Sequence, residues 1–168
     1  MNYLIPEFLE TERLNLRMFV EKDWRDMHEY FSDPECMRYT SGRPFNENES
    51  WQKLAALSGH WNLRGYGSYA LEDKTSGKVL GVAGLDYPLE WPEPEIQWGL
   101  SSAYWGKGFA SEAVKAIRKM TKETNPGLPL ISLIFENNSN SINLARAVGA
   151  TFEKKSIFRN ESCLIFRH

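Results

Sequence analysis

The sequence predicts a mixed α/β domain built around a largely antiparallel sheet. Three observations lead there. Short alternating or β-rich runs crowd the middle of the chain and recur at its end. Amphipathic helical stretches separate them instead of following every strand, so a purely parallel sheet is not indicated. The connections between neighbouring runs are mostly short and turn-like.

Taken in order, residues 13–19 alternate Leu14, Leu16 and Met18 against Arg13, Asn15 and Arg17, the pattern of a half-buried first strand. Asp23 is placed to cap a helix carrying Trp24, Met27, Tyr30 and Phe31 on one face, ending near Asp33-Pro34. Asn46 with Glu49 three residues on forms a capping-box variant. It opens a second helix with Trp51, Leu54, Ala55 and Trp61 roughly in phase, broken by Gly65 to Gly67. Strands over Ser68–Glu72 and Val79–Tyr87 flank the turn Asp73-Lys74-Thr75-Ser76-Gly77. The proline-rich residues 88–94 cannot join a ladder, and residues 95–100 form the next strand. A helix from Gly108 to about Lys122 buries Ala113, Val114, Ile117 and Met120. Leu130–Phe135 is nearly continuously apolar, as a buried strand is. A helix from about Ser139 to Val148 stops at Gly149, a suitable residue past a helix end. Two strands, about 151–157 and 162–167, meet at Arg159-Asn160-Glu161. That makes about seven strands and about four helices in one domain spanning 1–168.

Composition excludes several classes. Of 168 residues, 42% are apolar and 25% charged, as in ordinary globular domains. A net charge of −2 without a Lys/Arg cluster leaves no footprint for nucleic acid. No apolar run approaches the ~20 residues that span a bilayer, and no signal segment opens the chain. Cys36 and Cys163 offer neither a disulfide framework nor metal spacing. A cytoplasmic protein with no metal is the expectation. His28, His60 and His168 have no partners at nucleophile or metal spacing.

The segment Tyr104-Trp105-Gly106-Lys107-Gly108-Phe109-Ala110-Ser111-Glu112-Ala113 carries the clearest chemical signal. Two glycines one residue apart stand where a strand-like run gives way to a helix. They admit φ > 0 and close ligand approach. The amides of residues 106–111 would be free at a helix N-terminus, where the dipole favours an anion. A dinucleotide fingerprint is ruled out by Ser111 at its third glycine, and no P-loop string exists. Without more context, the turn either holds a pyrophosphate or simply joins strand to helix.

The context is the order of further blocks. Thr11-Glu12-Arg13-Leu14-Asn15-Leu16-Arg17 comes first, then Pro94-Glu95-Ile96-Gln97-Trp98-Gly99-Leu100-Ser101, then the glycine turn. Asn138-Ser139-Asn140-Ser141 and Val148-Gly149-Ala150-Thr151-Phe152 follow. This succession resembles the GNAT acyl-CoA N-acetyltransferases, in particular the RimJ/RimL-like branch, over essentially the whole chain. The resemblance implies the GNAT fold, a twisted, mostly antiparallel sheet flanked by helices. It also implies acetyl-CoA as co-substrate and a primary amine as acceptor, either a protein N-terminal α-amine or a small molecule. Attack would be direct, in a ternary complex of a monomer or homodimer. A module that binds acyl-CoA without turnover is the alternative.

The resemblance also distributes roles. The amides of Gly106, Lys107, Gly108, Phe109, Ala110 and Ser111 would hold the pyrophosphate, with Trp105 where many relatives carry Arg or Gln. Glu95, on one strand face with Gln97 and Gly99, would act as the base, directly or through water. The backbone of Trp98, Gly99 and Leu100 would pair with the pantetheine arm, one amide facing the thioester oxygen. Asn138 and Ser141 would touch the cofactor, with Ser141 near the sulfur, where either it or water would protonate the leaving thiolate. The tyrosine that many relatives place four residues before the last helix's glycine is Ala145 here. Trp51, Trp61, Tyr66, Trp91 and Trp98 either line the acceptor groove or fill the core. Glu90 and Glu93 either attract a cationic amine or are solvated.

Overall fold

The computed structural model describes residues 3–168. Its strands are β1 (Phe8–Glu10), β2 (Leu14–Arg17), β3 (Ser68–Asp73), β4 (Val79–Asp86), β5 (Glu95–Leu100), β6 (Ile131–Phe135), β7 (Thr151–Phe158) and β8 (Glu161–Arg167). Its helices are α1 (Trp24–Phe31), α2 (Pro34–Met37), α3 (Glu47–Arg64), α4 (Phe109–Thr124) and α5 (Ser139–Ala147). One eight-stranded sheet runs in the order β1-β2-β3-β4-β5-β6-β8-β7. Every pairing is antiparallel except β5 with β6.

The sheet exceeds the expected seven strands by β1, which pairs with β2 through Phe8↔Arg17 to Glu10↔Asn15. It is three residues long, with two of them exposed, so it leaves almost no alternation in the sequence. The fifth helix, α2, is a single turn held by the Asp33 side chain, which accepts from the Glu35 amide at 2.9 Å. Asp33-Pro34 therefore both ends α1 and starts the next turn. Asp23 does not cap α1 with its side chain. Its carboxylate instead accepts from Arg17 at 2.7 and 3.0 Å and from the Val20 amide at 2.8 Å. The capping box at Asn46 and Glu49 forms in both directions, and Gly65 closes α3 at φ 76°.

Two faces of the sheet are covered separately. On one, Leu14, Leu16, Leu80, Leu85, Ile96 and Leu100 pack against Ala113, Val114, Ile117 and Met120 of α4. On the other, Met27, Tyr30 and Phe31 of α1 join Leu54 and Leu57 of α3 against Ala70 and Val82. Ile134, Ala145, Leu164 and Phe166 make a smaller cluster beyond β5.

The feature that positions a site is the β5–β6 pairing. β5 is laddered to β4 from Glu95 to Leu100, but meets β6 only at Glu95↔Ile131. From that point the two parallel strands diverge. β5 leads into a 3-10 turn (Ser102–Tyr104), the glycine turn and α4, and β6 leads into α5.

Candidate active site

The diverging strands leave backbone groups without a ladder. The Ser132 hydroxyl donates to the Ile96 carbonyl at 2.6 Å, so that carbonyl faces away from β4. Strand alternation turns the N–H and C=O of Trp98 and Leu100 the same way, into the gap. Gly99 then faces β4. A Cβ on Gly99 would sit 2.2 Å from the Tyr30 hydroxyl. On this side the glycine makes room for an aromatic ring, and its own N–H and C=O are turned to β4.

Glu95 stands where the strands part. It is buried, and its Oε2 accepts from the Leu133 amide at 3.4 Å, an amide that a continuous parallel ladder would otherwise engage. Desolvation is the main reason its pKa is pushed up to about 7, and the nearby Asp86 carboxylate adds to the rise. Trp91 and Lys53 oppose it, although the buried Trp91 Nε1 makes no hydrogen bond of ordinary geometry. Asp86 is the direct cross-strand partner of Glu95. His60 of α3 approaches Asp86 at 3.1 Å. Its Nδ1 donates to the Tyr66 carbonyl at 2.9 Å, and its Nε2 accepts from the Tyr87 amide at 3.1 Å. Sequence spacing gave His60 no partner because Tyr66 lies in the turn after α3 and Asp86 and Tyr87 lie at the end of β4.

At the other end of β5, Trp105 donates its indole N–H to the Leu100 carbonyl at 2.8 Å. This fastens the strand end to the turn. Gly106 and Gly108 adopt φ of 72° and 81°, in the left-handed region where a side chain is strained. The first bond of α4 comes from the Glu112 amide to the Gly108 carbonyl, at 3.0 Å. Among the described residues, nothing accepts from the amides of 106–111. Lys107 lies over the Tyr104 ring at 5.4 Å and is exposed. Phe109, Ala110 and Ser111 begin the helix at intermediate exposure.

Across the gap, Asn138 caps α5 by accepting from the Ser141 amide at 3.2 Å. The Ser141 hydroxyl receives the Trp98 indole N–H at 3.3 Å. Thus Trp98, from β5, spans the gap to α5. Ala145 is fully buried in the small cluster.

Among the groove aromatics, Trp61 and Tyr66 are core, and Trp61 donates to the Ser68 carbonyl at 2.9 Å. Trp91 stacks edge-on against Phe158 with centroids 4.5 Å apart. Trp51 is exposed. The loop acids are engaged: Glu93 pairs bidentately with Arg167, and Glu90 meets Arg159 at 3.5 Å. No cluster of His, Cys, Asp and Glu among the described residues could hold a metal. No helix among the described residues is long and apolar enough to cross a membrane.

An open strand edge, a buried acid at one end and uncommitted helix-start amides at the other form an arrangement suited to group transfer from an extended anionic donor. The particular family follows from comparison. The model of the acetyltransferase (GNAT) domain matches residues 13–151, and the chain belongs to that family. An uncharacterized N-acetyltransferase, p20, from Bacillus licheniformis is 33% identical over 113 residues, covering 66% of this chain and 64% of that protein. An acetyltransferase from Agrobacterium tumefaciens superposes with TM-score 0.84 at 27% identity, covering 98% and 94% of the two chains. RimL, a ribosomal alpha-N-protein acetyltransferase solved in complex with coenzyme A, shares the fold at TM-score 0.78 and 15% identity, over 96% and 97%.

Proposed function

We propose that the protein moves an acetyl group from acetyl-CoA to a primary amine, a protein N-terminal α-amine or a small amine, by direct attack in a ternary complex. The carrying observation is the continuity of β5. One strand links the buried Glu95 carboxylate to the open amides of the glycine turn.

The pyrophosphate lies on the amides of Gly106, Lys107, Gly108, Phe109, Ala110 and Ser111. The pantetheine arm runs along the edge offered by Trp98 and Leu100. The amine nitrogen attacks the thioester carbon. Charge gathers on the carbonyl oxygen, where an edge amide of β5 meets it. The amine's proton passes to Glu95, directly or through water. The C–S bond then breaks and the thiolate leaves beside Asn138 and Ser141, taking a proton from Ser141 or water. No covalent enzyme intermediate forms, since neither Cys36 nor Cys163 lies in the motifs that build the site, and both are buried. A base of pKa about 7 suits an α-amine, whose pKa of about 7.7–8.0 lies well below the ~10.4 of a lysine.

One observation favours the binding-module reading. Buried Ala145 offers no hydroxyl to the leaving thiolate. Both readings need the same cofactor site. Calorimetric titration with acetyl-CoA, paired with Gly108→Trp, tests that site. Binding by the unaltered protein and loss of binding in the variant are expected. Thiol release across a panel of amines, α-amine peptides included, then separates the enzyme from a silent binder. No binding by the unaltered protein would overturn both readings.

A further inference from the structure

The Thr11-Glu12-Arg13 block lies about a hundred residues from the glycine turn in sequence, yet it is bonded directly to it. Arg13 Nη1 donates to the Lys107 carbonyl at 2.8 Å, and Nε donates to Glu112 Oε2 at 2.7 Å. The Arg13 amide and the Thr11 hydroxyl donate to the other Glu112 oxygen at 2.8 and 2.6 Å. The guanidinium lies 4.3 Å above the Phe109 ring. Its remaining nitrogen, Nη2, has no partner among the described residues. It stands 3.3 Å from the point where a Cβ on Gly108 would sit.

Two physical problems meet here. A turn with two left-handed glycines has much conformational freedom to lose on binding an anion. Glu112 also sits in the first turn of α4. Its charge suits the helix dipole but repels a pyrophosphate arriving at the same helix end. We infer that Arg13 is a positioning residue for the donor's pyrophosphate: it fixes the turn through the Lys107 carbonyl and neutralises Glu112 beside the anion. With that carbonyl held toward Arg13, the amides of 106–111 are left uncommitted before any ligand arrives. Lysine cannot replace it, because a single ammonium lacks the planar fork that bonds two acceptors while stacking on Phe109.

The inference rests on the reading that acetyl-CoA binds the glycine turn, and two variants separate the failures. Arg13→Ala is titrated with CoA and assayed for turnover beside Arg13→Lys and the double variant Arg13→Ala/Glu112→Gln. In Arg13→Ala the Kd for CoA rises by about 10–100-fold, the range for losing hydrogen bonds to charged groups, while kcat at saturating acetyl-CoA stays within about twofold. Arg13→Lys weakens binding in the same direction, and serves alone if Arg13→Ala does not fold. Adding Glu112→Gln to Arg13→Ala restores at least about threefold, because it removes the unmasked carboxylate. A merely structural arginine predicts no such recovery. A CoA affinity in Arg13→Ala equal to the unaltered protein overturns the inference, and so does a weakened affinity that the double variant does not improve. If Gly108→Trp itself still binds CoA normally, the pyrophosphate reading has failed instead.

Discussion

The two ends of β5 solve opposite electrostatic problems with opposite materials. At the Leu100 end the site is backbone: exposed glycines, six amides without acceptors and a carbonyl pinned by Trp105. At the Glu95 end it is a buried side chain whose charge the surroundings resist. The first end favours an anion in any state of protonation. The second holds its proton until pH nears 7. Amides at a helix start attract negative charge permanently, whereas a buried carboxyl can take up and release a proton near working pH. In the proposed mechanism a donor that must stay bound and an amine that must lose a proton need these two behaviours, and one strand would supply both.

The largest effect should come from making the Glu95 end permanently neutral. Glu95→Gln keeps the shape and removes the base, so kcat falls by roughly 100-fold or more. The Kd for acetyl-CoA stays within about twofold, because the turn at the other end is untouched. Stopped-flow or endpoint thiol release together with titration checks this. Equal losses in both quantities would show that the two ends are not separable. In the unaltered protein kcat rises with pH through about 7 as Glu95 ionises.

Stability should move the other way over the same window. Because the folded pKa lies above the ordinary value of 4.5, the folded state holds its proton where the unfolded chain has lost it. The resulting stability is fully present below about 4.5 and is lost as pH rises through about 7. The loss is on the order of 3 kcal/mol. In urea melts the unaltered protein should lose stability relative to Glu95→Gln, the neutral mimic, across that range. A pH-independent difference would mean that Glu95 is ionised throughout.

The contrast also explains what the sequence disclosed. The glycine turn was legible because its chemistry is local: Gly106, Gly108 and the helix after them are consecutive, and the structure realises both positive φ values. Most elements were legible for the same reason, down to the capping box of α3 and the glycine that ends it. The surroundings of Glu95 were not, because Asp86, Trp91 and Leu133 come from separate segments. His60 was set aside since its bonds to Tyr66 and Tyr87 depend on how α3 crosses the sheet. Gly99 illustrates the converse ambiguity. A glycine in a strand suggests close approach, but periodicity does not say whether a ligand or Tyr30 approaches.

That distinction gives a smaller, sharper test. In Gly99→Ala the new methyl collides with the Tyr30 hydroxyl and ring, at 2.2 and 2.6 Å. Overpacking of this kind costs about 2 kcal/mol, or roughly 4–8 °C in Tm for a chain of this size. The strand edge that faces the gap is unchanged, so CoA affinity at a temperature well below Tm should hold. Lost affinity with an unshifted Tm would mean that Gly99 serves the cofactor.

The smallest effect is expected between the two ends, at Ser141. Its hydroxyl is the acceptor for the Trp98 indole at 3.3 Å, while the cap of α5 runs from its amide to Asn138 and survives removal of the side chain. Ser141→Ala therefore leaves the helix start intact and frees only the indole and whatever lies beside the hydroxyl. With Ala145 unable to protonate the thiolate, two donors remain, Ser141 and water. If they share the task, kcat falls by about 3–10-fold with CoA affinity unchanged. A fall beyond about 100-fold makes the serine the required acid, and then α5 supplies a third chemical element that the strand alone does not. An unchanged kcat leaves water as the donor and reduces Ser141 to the post on which Trp98 is hung. In that case the chemistry of the site belongs wholly to β5 and the turn that follows it.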